Sequence, residues 1–123
     1  MNDTIRIISV DDHPHFRDGI AMIINSLPDM SMVAQASNGR EAVELFREHQ
    51  PDVTLMDLRL PDMSGIEATI AIRTEFPKAC IIILTTFESE TERQRALAAG
   101  ASAFVLKSPA RKLVEAIHQV LGK

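Results

Sequence analysis

The residues able to do chemistry fall at the ends of short β-branched runs. Asp11 and Asp12 follow residues 5–10, Asp57 follows 53–56, Thr85 and Thr86 follow 80–84, and Lys107 and Ser108 follow 103–106. A further run, 32–36, ends without an obvious reactive group, at Gln35 to Asn38. Three carboxylates brought together repel one another, and keeping them ionised requires a compensating cation. Oxygen ligands with room for water suit Mg²⁺, which takes one or two carboxylates and keeps most of its hydration. Three Asp, one Lys and one Mg²⁺ sum to zero. Such a site is poised for a phosphoryl group: the cation and Lys107 neutralise non-bridging oxygens, a Thr hydroxyl donates to one, and an Asp serves as nucleophile.

Those side chains meet only if the elements between them bring the run ends to one edge. The pattern repeats about every 25 residues: a short apolar run, a turn signal, then an amphipathic stretch. IRIISV, VTLM and CIIIL are largely apolar rather than alternating, as strands covered on both faces should be. Helical spacing joins Phe16, Ile20, Ile23 and Leu27; then Val43 and Phe46; then Ile66 and Ile70; then Leu113, Ile117 and Val120. Asn38–Glu41, Ser64–Glu67 and Ser89–Glu92 read as capping boxes, Pro14 and Pro109 suit a first helical turn, and Gly100 suits a helix stop. The order is (βα)5, which implies a parallel sheet with helices on both faces. In such sheets ligands bind beyond the carboxyl ends of the strands, where these residues lie.

Composition narrows the class. At 123 residues, 46% hydrophobic and 24% charged, the chain suits one globular domain spanning 1–123 and excludes disorder or collagen-like repetition. No apolar run approaches a membrane span, and the first residues are acidic where a signal peptide is basic, so a cytoplasmic location is expected. One cysteine, Cys80, excludes an internal disulfide. The net charge of −4 argues against gripping nucleic-acid phosphates. It is unevenly spread: residues 1–92 carry seven bases and sixteen acids, residues 93–123 six bases and one acid. The two ends suit different partners, or simply carry solvated helix faces.

Four segments together resemble the response-regulator receiver domain of two-component signalling, with its flavodoxin-like (CheY-like) fold. They are VDD at 10–12, LMDLRLPDMSG at 55–65, ILTTF at 83–87 and AGASAFVLK at 99–107. The resemblance implies a doubly wound five-stranded parallel sheet in the order 2-1-3-4-5. It implies that Asp57 accepts a phosphoryl group from a phosphohistidine on a sensor histidine kinase. Asp12, Asp57 and the backbone carbonyl of Arg59 would coordinate Mg²⁺, with Asp11 acting mostly through water on the ion. Thr85 and Lys107 would hold phosphoryl oxygens, and Phe104 falls at an aromatic switch position, turning inward as Thr85 moves. Such a protein is a phosphorylation switch rather than a turnover enzyme.

DDHPHFRDGIAMII further resembles the NarL/FixJ branch, whose output is a LuxR-type helix-turn-helix. On that resemblance the chain is the N-terminal part of a longer regulator. It would dimerise on phosphorylation and bind DNA only through a C-terminal domain absent here. Many receivers carry a proline after the lysine on a cis bond; here Ser108 stands there, which argues for a trans bond. A stand-alone receiver, acting through protein contacts or as a phosphoryl sink, is the surviving alternative. An aspartyl phosphatase would want a second Asp where Arg59 stands, and a nucleotide-binding module would want a Gly- or Ser/Thr-rich loop in place of DDHPH.

Plainer roles are also available. An acidic pair suits a helix N-terminus, one of the two threonines reads as an ordinary strand residue, and Phe104 suits a core. His13 and His15 lack zinc-site spacing and read as solvated loop residues. His49 and His118 read as helix-surface residues, Met56 as packing, and Cys80 as a small hydrophobe opening a buried strand.

Overall fold

The computed structural model describes residues 4–123. Strands and helices alternate throughout: β1 (Ile5–Val10), α1 (Pro14–Ser26), β2 (Met30–Ala36), α2 (Gly39–His49), β3 (Val53–Asp57), α3 (Gly65–Glu75), β4 (Ile81–Thr85), α4 (Glu90–Ala98), β5 (Ala103–Leu106) and α5 (Ala110–Leu121). All strand pairs are parallel, in the order β2-β1-β3-β4-β5. The parallel sheet is the one the alternation predicts, and its order is the doubly wound flavodoxin-like one the resemblance implies.

The apolar runs serve two cores at once, because successive strand residues point to opposite faces. Ile5, Ile7, Val53, Leu55, Ile82 and Leu84 face α1 and α5, meeting Ile20, Ile24, Leu113 and Ile117. Ile8, Val10, Met56, Ile81 and Ile83 face the other helices, meeting Ala42, Phe46, Ala68, Ile72 and Ala96. Near-continuous burial of β3 and β4 follows.

Two strands reach one residue further than the sequence suggests. Asp57 ends β3 and Thr85 ends β4, so each reactive side chain sits on a laddered backbone. Two helical stripes are out of phase with expectation. Ile23 and Ile70 are exposed, while Ile24, Thr69 and Ile72 are buried. In α1 the i, i+4 pair Ile20–Ile24 sets the buried stripe, and in α3 Ala68 and Ile72 do so. Thr69 is admitted because its hydroxyl donates to the Gly65 carbonyl at 2.8 Å.

Of three expected capping boxes, only Ser64–Glu67 closes in both directions. Asn38 accepts from the Glu41 N–H, but the Glu41 carboxylate serves Ser37 instead. Ser89 accepts from the Glu92 N–H at 3.3 Å, but the Glu92 carboxylate pairs with Arg59. Pro109 is the N-cap of α5 rather than a residue of its first turn, and the Ser108–Pro109 bond is cis. Cys80 lies just before β4 and is half-buried, so it does not open the strand. Its thiol pKa is pushed up by burial.

Candidate functional site

At the carboxyl edge of the sheet, β1, β3, β4 and β5 deliver their side chains into one cavity of about 430 Å³. Asp12, His13, Asp57, Arg59, Thr85 and Lys107 are among its lining residues. Asp11 sits beneath. Its N–H continues the ladder to the Ala36 carbonyl, and its own carbonyl accepts from the Arg17 guanidinium at 3.0 Å. Arg17 is fixed in turn by Gln35, whose amide donates to the Arg17 carbonyl and to Ser9 Oγ. The second run, which ends without a reactive group, therefore buttresses the loop that carries the acidic pair.

Lys107 reaches the acids from β5, where its N–H donates to the Thr85 carbonyl. Its Nζ lies 2.6 Å from Asp11 Oδ2 and 3.4 Å from Asp57 Oδ2, and 4.8 Å from the centre of the Phe16 ring. Both contacts are ion pairs, and beyond Lys107 neither Oδ2 atom has a hydrogen-bond partner, although both are buried. Burial, and then the charge of Asp11, push the Asp57 pKa up; Lys107 and the Arg59 N–H pull against them. One ammonium thus faces three carboxylates, and the balance at Asp57 is unfavourable to its ionised form.

The loop after β3 is tightly closed. Gly65 N–H donates to the Leu58 carbonyl at 2.7 Å, and Leu60 N–H to the Met63 carbonyl. A Cβ on Gly65 would press into the carbonyl oxygen of Asp57, so only glycine lets the start of α3 lie against the strand end. Asp62, in the same loop, accepts from the Gly39 and Arg40 N–H groups at the start of α2, which holds its carboxyl below the usual range. Arg59 turns its guanidinium away to Glu92, at 3.0 Å. Thr85 donates to the Phe87 carbonyl at 2.9 Å, and Thr86 is exposed. Phe104 is 6% exposed, packed with Ile81, Ile83 and Ala96 rather than turned to solvent.

His13 is where the sequence reading goes astray. Its ring is 65% exposed, as a loop residue's should be, yet Nδ1 lies 2.7 Å from Asp11 Oδ1 and 3.3 Å from Asp12 Oδ1. Asp11 Oδ1 also accepts the His13 backbone N–H, and this local turn swings the ring back over the acids. The aspartate two residues earlier was the available signal. Asp11, Asp12, His13 and Asp57 form a group whose ligand atoms all lie within 4.8 Å of one another. The buried Asp57 Oδ2, without a hydrogen bond, supplies an acceptor that a hard divalent cation fits.

A family profile described as "Response regulator receiver domain" matches residues 7–118. The chain belongs to this family. Response regulator protein VraR of Staphylococcus aureus is 38% identical to this receiver over 109 residues, which are 89% of this chain and 52% of VraR. The receiver thus spans about half the length of the curated relatives it matches. A LuxR-family response regulator from an Aurantimonas species superposes with a TM-score of 0.93 at 42% identity, over 97% of this receiver and 86% of that chain. The receiver domain of a NarL from Mycobacterium tuberculosis gives 0.87 at 31%, over 98% and 95%. This receiver is therefore a two-component signalling module with LuxR-family neighbours. Among the described residues, no helix is long and apolar enough to cross a membrane.

Proposed function

We propose that this receiver is phosphorylated on Asp57 by a sensor histidine kinase, in an Mg²⁺-dependent reaction in the cytoplasm. The observation that carries the reading is the convergence on Asp57 Oδ2, which is buried, lacks a hydrogen bond, and lies 3.4 Å from Lys107. A carboxylate oxygen of Asp57 attacks phosphorus as the N–P bond of the phosphohistidine breaks. The electron pair returns to the kinase imidazole, and an acyl phosphate is left on Asp57. Asp12 and Asp57, with the Arg59 carbonyl and Asp11 close by, would hold Mg²⁺. The ion, when bound, neutralises charge on the phosphoryl oxygens.

Lys107 then exchanges its carboxylate contacts for a phosphoryl oxygen. Replacing one carboxylate charge by a near-dianionic group adds about one negative charge, which attracts a new donor. Thr85 is that donor, and to reach the phosphoryl group it must release the Phe87 carbonyl. The β4–α4 loop is freed by the same step. Because Phe104 is already buried, its part is a repacking against the 340 Å³ cavity it lines with Glu88, Ser89, Glu90 and Arg93. In the longer regulator this change would promote dimerisation and so place two LuxR-type helix-turn-helix domains on paired DNA half-sites. The LuxR-family relatives and the span of about half of VraR support that output.

Incubation with Mg²⁺ and a small phosphodonor should add one phosphoryl mass that hydroxylamine removes and EDTA prevents. An adduct persisting in Asp57→Asn would overturn the assignment.

A further inference from the structure

The N-cap residue of α1 does not cap. His13 makes no side-chain hydrogen bond to the helix, and its ring instead closes one side of the acidic cluster. From Nδ1 the distances are 2.7 Å to Asp11 Oδ1, 3.3 Å to Asp12 Oδ1 and 3.8 Å to Asp57 Oδ2. In an octahedron with bonds of about 2.1 Å, adjacent ligands lie about 3 Å apart and opposite ones about 4.2 Å. The separations among the four donors, none above 4.8 Å, fit that frame after small adjustments. The Asp57 donor is 7% exposed, and its Oδ2 has no hydrogen bond and the Lys107 ammonium, at 3.4 Å, as its ionic partner, which leaves it an acceptor to spare.

We propose that His13 is a nitrogen ligand of the cation site and sets its metal preference. The inference rests on reading the acidic cluster as a cation site, and adds a ligand to it. Three carboxylates alone make a hard oxygen site. A neutral imidazole shifts the preference towards first-row transition ions such as Mn²⁺ and Ni²⁺, relative to Mg²⁺. Ligation through the Nδ1 lone pair leaves the proton on Nε2, and replaces the hydrogen bond from the ring to Asp11 Oδ1. Lys107 keeps its contact with the other oxygen of Asp11, and at Asp57 Oδ2, 3.4 Å from its Nζ, the ammonium and the ion share one acceptor.

Pulsed EPR of Mn²⁺ bound to the chain reads the ligand directly. The parent and a His15→Ala control should both show the ¹⁴N coupling of a directly bound imidazole, and His13→Leu should lose it. Competition calorimetry should show the Ni²⁺-over-Mg²⁺ preference falling on the order of ten-fold in His13→Leu. Coupling that survives in His13→Leu, or an unchanged preference, would overturn the assignment. Circular dichroism checks that the variant folds, and His13→Gln, which offers only an oxygen, should repeat the result. If the parent labels Asp57 with Mg²⁺ but shows no nitrogen coupling, the ligand assignment alone falls. If it neither binds Mg²⁺ nor labels, the cation-site reading falls with it.

Discussion

Helices α4 and α5 differ in what secures them. The α5 helix buries Leu113, Ala116 and Ile117 in the core it shares with α1 and one face of the sheet. In the nine residues of α4 only Ala96 is buried, and Leu97 is 40% exposed. What fixes the start of α4 is polar: Ser89 accepting at 3.3 Å, and the Glu92–Arg59 pair to the loop after β3. Apolar burial is non-directional and does not respond to a new charge, whereas an ion pair or a hydroxyl contact can be exchanged when one arrives. The element tied to the Asp57 loop by exchangeable contacts is therefore the one suited to report on Asp57.

The contrast breaks most visibly in α5. Ile117→Ala should cost about 3–4 kcal/mol, measured by urea unfolding, because the fully buried side chain leaves a cavity between α5 and the sheet. Next in size is a gain. Asp57→Asn removes an ionised group whose pKa the fold raises, through burial first and Asp11 second. A carboxyl with a raised folded-state pKa stabilises the fold below its unfolded value, and that contribution is lost as pH rises through the folded value. At neutral pH the charge is thus a burden. The variant should be more stable by about 1 kcal/mol, near 4 °C in Tm. The gain should shrink on acidification, and a stability equal to the parent's at neutral pH would refute it. The smallest effect sharpens the comparison. Glu92→Gln should change global stability by less than about 0.5 kcal/mol, since the Arg59 side of the pair is 71% exposed. Hydrogen exchange should nevertheless quicken in the first turn of α4 and leave α5 unchanged.

The parallel sheet was legible because three runs are largely apolar rather than alternating, as strands covered on both faces require. The site was legible because strand ends converge by topology, so Asp11, Asp57, Thr85 and Lys107 could be grouped from their places in the sequence. Helical phase was less so: Ile23 and Ile24 are adjacent isoleucines, and only packing decides which is buried. Capping motifs failed where a carboxylate had a better partner elsewhere, as Glu92 has in Arg59, 33 residues away in sequence. The placement of His13 depends on one turn folding back on Asp11, a conformation that spacing alone does not encode.

The missing side chain at Gly65 has a mechanical consequence. With the first turn of α3 seated directly on its carbonyl, Asp57 has a fixed backstop and no slack in which to recoil. Bulk added to its carboxylate must be accommodated forwards, across the cavity towards Thr85 and the Arg59–Glu92 tie. A methyl group at position 65 would instead press on the Asp57 carbonyl and shift the first turn of α3. The direction in which force leaves the site is thus set by an atom the chain does not have.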